Sequence, residues 1–154
     1  MEIGCGKGKF IMETAMKNPD INYVAVEVCL DVIIIAMEKV KAAGVTNVRF
    51  INFDAKDICE VFDKEEIEKI YLNFSDPWPK DRHKKRRLTH TRQLNNYKTF
   101  LKKDGRIFFK TDDDELFDIL VESVNEDFYF EGVNLDIHKR YRADIKTAIS
   151  FRKT

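Results

Sequence analysis

Cysteine, proline and histidine are scarce in this chain of 154 residues, with three of each and a single tryptophan. Cys5, Cys29 and Cys59 have neither CxxC nor metal-ligand spacing. Their odd number argues against a disulfide framework and leaves free thiols in a reducing compartment as the ordinary reading. His83, His90 and His138 are too scattered to propose a metal site. No apolar run approaches the roughly 20 residues that cross a bilayer, and the N-terminus lacks a signal peptide's basic-then-apolar pattern. No membrane partner is therefore expected, and a cytoplasmic location is. Internal repeats, low-complexity segments and linkers are missing as well, so the length suits one domain, 1–154, with one core.

Net charge is also absent, with 27 basic and 27 acidic side chains. That balance hides an uneven distribution. Lys80 to Arg87 reads KDRHKKRR, six Lys or Arg in eight positions with one acid, while an acidic excess lies between Asp57 and Glu68. Phosphate attraction depends on where cations cluster, so the local run points to nucleic acid although the whole does not. A solvated loop is the ordinary alternative for such a run.

Short runs rich in Val, Ile, Phe and Tyr alternate with longer helical patterns. The runs predict strands at Tyr23–Val28, Val48–Phe53, Lys69–Phe74, Arg106–Lys110, Phe128–Ile137 and Lys146–Arg152. Helices are predicted at Gly8–Asn18, Asp31–Ala43, Ile58–Phe62, Thr91–Leu101 and Glu115–Glu126, with Gly44 and Asp104-Gly105 as stops. This alternation implies an α/β fold with a doubly wound, mostly parallel sheet, ending in antiparallel C-terminal strands. Met1-Glu2-Ile3 reads as the tail of a strand, so an N-terminal segment is expected to be missing.

Glu2-Ile3-Gly4-Cys5-Gly6-Lys7-Gly8 places an acid at a strand end before three alternating glycines. Glycine permits positive φ and leaves no Cβ between backbone and ligand, so Gly4 and Gly6 can lie against a cofactor. A purely structural turn uses the same residues. Glu27 ends the second strand, where a carboxylate can accept both hydroxyls of a ribose, and Asp54 follows the third, within reach of an adenine amine. A solvated strand end for Glu27 and a helix cap for Asp54 are the plain alternatives. The spacing G-x-G-x-G, unlike the dinucleotide fingerprint G-x-G-x-x-G, favours S-adenosyl-L-methionine over a nicotinamide cofactor.

After the fourth strand comes Asn73-Phe74-Ser75-Asp76-Pro77-Trp78-Pro79-Lys80. Proline fixes φ, so Asp76, Trp78 and Lys80 are held with little freedom, as a site that positions reactants requires. The string NFSDPWPKDRHKKRRL, together with EIGCGKGKF and the later FKTD, resembles the bacterial tRNA (guanine-N7-)-methyltransferase family from Glu2 to about His138. That resemblance implies the class I methyltransferase (Rossmann-like) sheet. It also implies an enzyme that moves a methyl group from S-adenosyl-L-methionine to guanine N7 in the tRNA variable loop, at guanosine 46. It assigns Glu2, Glu27, Asp54 and Asp76 to cofactor binding and makes Asp76 catalytic. Lys80 and Asp112 become substrate contacts, and Arg82, His83, Lys84, Lys85, Arg86 and Arg87 the segment that touches RNA. For Asp112 a cap on the helix near Glu115 is the alternative.

The family's closing Thr-x-Tyr-Glu-x-Lys-Phe stretch is not found. Lys139 to Asp144 leads straight into the last strand, so a loop near 139–141 is expected to be missing too. The partner implied is tRNA, with the protein a monomer or homodimer. Rival readings are a class I methyltransferase for another RNA or a protein, and a non-catalytic RNA-binding module with a vestigial cofactor pocket. A nicotinamide-dependent oxidoreductase is disfavoured by the glycine spacing.

Overall fold

A computed structural model describes residues 1–123, 128–134 and 147–153. It contains two compact units, Met1–Asp57 and Ile58–Thr154.

In the first unit, β1 (Glu2–Ile3), β2 (Tyr23–Glu27) and β3 (Val48–Asn52) lie in the order β3-β2-β1. Both pairings are parallel, with Ile3 beside Val26 and Glu27 beside Asn52. Parallel strands are covered on both faces, which explains the near-continuous apolar run Tyr23-Val24-Ala25-Val26. The crossovers are α1 (Lys9–Lys17) and α2 (Leu30–Ala42). α1 buries Ile11 and Ala15, four residues apart and therefore on one face. These pack with Tyr23, Ala25, Val40 and Val48 into a common core. Asn47 fastens the edge, its Nδ2 donating to the carbonyls of Ala15, Asn18 and Ile21 at 3.2, 3.0 and 2.8 Å.

In the second unit, β4 (Ile67–Asn73), β5 (Leu101–Thr111), β6 (Phe128–Asn134) and β7 (Thr147–Lys153) lie in the order β4-β5-β7-β6. β4 and β5 are parallel, whereas β5/β7 and β7/β6 are antiparallel, as the lack of a helix between the last two predicted strands implied. β5 alternates strictly from Gly105 onward, burying Gly105, Ile107, Phe109 and Thr111. On its other face Phe108 stacks on the paired Tyr71 at 5.1 Å. α3 (Thr91–Phe100) buries Leu94, Tyr97 and Phe100, and α4 (Asp114–Ser123) follows β5.

Three segments differ from expectation by more than a residue or two at their ends. The segment predicted as a helix at Ile58–Phe62 is a 3-10 helix at Ala55–Glu60. β5 begins at Leu101, directly after α3. Its register to β4 jumps from Leu101 to Arg106, so the Asp104-Gly105 turn is a bulge inside the strand. The basic run is not an open loop, because Asp81–Arg86 form a second 3-10 helix. The predicted ends at 124–126, 135–137 and 146, and the loop expected near 139–141, lie outside the described residues.

Candidate active site

The glycine loop leaves β1 at Ile3 and is tied to β2 by the amides of Gly4 and Cys5, which both donate to the Val26 carbonyl at 2.9 and 3.0 Å. Gly4, Gly6 and Gly8 have φ of 74, 53 and 72°, where a side chain is strained, so glycine is required three times. At Gly6 an added Cβ would stand in open space, leaving bare backbone facing outward. At Gly8 it would lie 2.7 Å from the Ala36 Cβ, so this glycine lets α1 and α2 approach.

Glu27 closes the loop. Its Oε2 accepts the Gly6 amide at 3.0 Å, and its Oε1 accepts those of Val28 and Cys29 at 2.9 and 3.1 Å. A carboxylate has about four acceptor positions, so one remains for an incoming hydroxyl. Glu2 is buried beneath the loop at 2% exposure. Burial, then the charges of Glu2 and Glu27, push the Cys5 thiol pKa up to about 12. Bare glycine backbone beside the Glu2 and Glu27 carboxylates, with one lone pair of Glu27 to spare, fits a sulfonium cofactor bearing a ribose.

Asp54 lies just past β3, at the same carboxyl rim as Glu27. It is exposed, and its Oδ1 caps the 3-10 helix by accepting from the Lys56 amide at 3.0 Å. Its Oδ2 pairs with Lys56 Nζ at 3.3 Å. The plain alternative for this residue is thus realised, and a cofactor amine would have to share the carboxylate with Lys56.

In the second unit, Asp76 and Asp112 both follow the carboxyl ends of parallel strands, β4 and β5. The Asp76 turn is bounded by two bulky residues in the left-handed region, Phe74 at φ 52° and Trp78 at φ 43°. Such conformations cost roughly 1–2 kcal/mol each and persist where surrounding contacts over-determine them. The Phe74 amide donates to the Lys110 carbonyl at 2.8 Å, and its ring is 49% exposed. Asp76 is exposed and forms no salt bridge among the described residues. Ser75 Oγ beside it is buried with no hydrogen-bond partner among the described residues.

The cations then divide. Lys80, Arg82, Lys84, Lys85 and Arg86 are exposed. Arg82 Nε donates to His83 Nε2 at 3.1 Å, the His83 ring lies 5.6 Å from Trp78, and the Arg86 guanidinium sits 5.0 Å from the Trp78 centroid. Arg87 departs from the expected RNA-facing set. It is 3% exposed, donating from Nε to the Pro77 carbonyl at 2.7 Å and from Nη2 to the Trp78 carbonyl at 3.0 Å.

Asp112 is exposed and is not the helix cap. That role falls to Asp113, whose Oδ1 accepts from the Leu116 amide at 2.8 Å while its own amide donates to Thr111 Oγ1 at 3.0 Å. Sequence reasoning also missed Lys39, whose Nζ donates to the Lys7 carbonyl in the glycine loop at 2.7 Å. A lysine on the polar side of a helix carries no local signal of that interaction. No group of three or more His, Cys, Asp or Glu able to hold a metal is found among the described residues, nor any helix long and apolar enough to cross a membrane.

Solved structures share this architecture. TrmN from Thermus thermophilus matches 99% of this chain and 43% of its own, with a TM-score of 0.78 at 17% identity. A SAM dependent methyltransferase from Aquifex aeolicus matches 99% and 80%, with a TM-score of 0.74 at 14% identity. The fold is therefore that of the class I S-adenosylmethionine-dependent methyltransferases, as the resemblance implied. A family described as "Putative methyltransferase" matches residues 1–149. The tRNA (guanine-N(7)-)-methyltransferase of Clostridium tetani is 50% identical over 140 residues, 90% of this chain and 66% of that protein. The enzyme of the same name from Clostridium botulinum strain Hall is 46% identical over 155 residues, 96% of this chain and 71% of that protein. The chain belongs to the tRNA (guanine-N(7)-)-methyltransferase family, whose cofactor is S-adenosyl-L-methionine. It spans 66% of the length of the Clostridium tetani relative, just under two thirds.

Proposed function

We propose that residues 1–154 form one catalytic domain, acting in the cytoplasm, that transfers a methyl group from S-adenosyl-L-methionine to N7 of a guanine in the tRNA variable loop. The Asp76 turn carries the reading: an exposed carboxylate between two strained residues, followed at once by a 3-10 helix of exposed cations. The names of the Clostridium relatives support the choice of substrate.

The cofactor supplies a methyl group made electrophilic by its sulfonium. Gly4 and Gly6 offer the backbone surface for it, Glu2 and Glu27 the negative field, Glu27 the acceptor for one ribose hydroxyl and Asp54 the acceptor for the adenine amine. Guanine N7 has a free in-plane lone pair on the major-groove edge, so the attack needs no general base. The tasks left to the protein are alignment and charge. Alignment supplies roughly 7–11 kcal/mol in favourable cases. Asp76 accepts from guanine N1–H and the exocyclic amine, fixing the ring plane, and its charge stabilises the cation that develops on the imidazole ring. Asp112 is the second group available to hold the base or ribose. Lys80, Arg82, Lys84, Lys85 and Arg86 bind phosphates, with His83 held among them.

The test is incubation of the full-length protein with methyl-labelled cofactor and unmodified tRNA, followed by mapping of the labelled base. Label on guanine N7 in the variable loop is expected. Label at another base, or none, overturns the reading.

A further inference from the structure

We infer that Arg87 is a positioning residue for methyl transfer, a buried guanidinium that locks the Asp76 turn from within the protein and touches no RNA phosphate. This rests on the reading that the turn handles the guanine. Six cations stand between Lys80 and Arg87, and the first five are exposed while Arg87 is 3% exposed. Its planar fork holds two successive carbonyls, those of Pro77 at 2.7 Å and Trp78 at 3.0 Å, the residues that directly follow Asp76.

The turn requires such a partner. Phe74 and Trp78 lie in the left-handed region, and strained backbone relaxes unless neighbours hold it. Pro77 fixes its own φ but does nothing to fix the peptide planes after it. Those planes are held by Arg87, and their rotation would swing the Asp76 carboxylate away from its direction. The clamp is itself anchored, because the Arg87 amide donates to the Lys84 carbonyl at 3.1 Å and closes the 3-10 helix that carries the exposed cations. Arginine suits the task because its donors sit in a rigid planar array, which lysine lacks.

Trp78 is the only tryptophan, so intrinsic emission reads the turn without any substrate. The experiment compares Arg87→Ala and Arg87→Lys in the full chain with the exposed pair Lys84→Ala/Lys85→Ala. Arg87→Ala is expected to shift Trp78 emission well below the unfolding temperature and to lower kcat by about 100-fold. The KM for tRNA and the salt slope of tRNA binding should stay at wild-type values. Arg87→Lys should fall between wild type and Arg87→Ala. The exposed pair should reduce the salt slope by about one for every phosphate its two lysines neutralise, while leaving emission unmoved. A reduced salt slope with unmoved emission in Arg87→Ala overturns the inference. Should that variant fail to fold, wild-type emission and kcat in Arg87→Lys overturn it. If wild-type protein does not methylate tRNA, the proposed function fails, while emission and salt slope still judge the clamp.

Discussion

The Gly6 amide donates to Glu27 Oε2 at 3.0 Å, joining the glycine loop to the end of the neighbouring strand across 21 positions of sequence. The acid thus shapes the loop by itself and leaves one acceptor position open, the one proposed for the cofactor. Glu27→Gln retains the size but removes the charge and replaces one acceptor oxygen by a donor. Hydrogen bonds to a charged group contribute about 1.5–3 kcal/mol, so S-adenosylhomocysteine affinity should fall by about tenfold or more. Isothermal titration gives the answer, and wild-type affinity in Glu27→Gln would remove this residue from the cofactor site.

Two glycines of one loop should behave oppositely. Gly8→Ala brings a Cβ to 2.7 Å from the Ala36 Cβ and 3.2 Å from its Cα, with φ at +72° as a further strain. Overpacking of this kind costs about 1–3 kcal/mol, visible as a lower urea midpoint. Gly6→Ala meets nothing within 4 Å and costs only the roughly 1–2 kcal/mol of its left-handed backbone. Its methyl group would stand on the surface proposed for the cofactor, so affinity should fall with a smaller loss of stability than in Gly8→Ala. Equal urea midpoints for the two variants would contradict this division.

What could be read in the sequence followed from local chemistry. Alternating glycines announced positive φ, and Glu27 announced itself by ending an apolar strand. Two prolines around Trp78 announced a rigid exit. What could not be read was direction. Arg86 and Arg87 are identical in sequence, yet one lies over the Trp78 ring and the other turns inward to two carbonyls. Asp112 and Asp113 are likewise interchangeable on paper, and only the start of α4 decides which caps it. The burial of Arg87 depends on the strained turn ten residues earlier, which no window of hydrophobic periodicity encodes.

Asp76→Asn keeps the shape of the turn and removes the charge proposed to face the methylated base. Loss of one preorganised electrostatic interaction commonly costs about 100-fold to 1,000-fold in kcat. Cofactor affinity should fall far less than turnover. Single-turnover methylation with wild-type rate in this variant would take Asp76 out of the chemistry.

The neighbouring aspartates separate stability from function. Asp113→Ala removes the acceptor of the Leu116 amide and should cost about 1 kcal/mol of stability. Asp112→Ala removes an exposed carboxylate with no capping role, so the thermal midpoint should not move while methylation slows. A lowered midpoint with unchanged turnover in Asp112→Ala would reverse the assignment.

His90 makes the start of α3 sensitive to pH. Its Nδ1 accepts from the Arg92 amide at 3.1 Å, so the cap exists only while that nitrogen carries no proton. Burial, then the charges of Lys85, Arg87 and Arg92, hold the imidazole pKa below its ordinary 6.5. The folded chain therefore binds this proton less readily than the unfolded chain. Stability from the neutral cap is complete above the unfolded value and is lost as pH falls through the folded one. His90→Asn keeps a capping oxygen that does not titrate. As pH falls from about 7.5 to about 5 the wild type should lose stability relative to His90→Asn, by no more than the roughly 1 kcal/mol of a typical cap. Urea unfolding of both proteins across that range measures the difference. Parallel curves would show that protonation of His90 does not reach the fold.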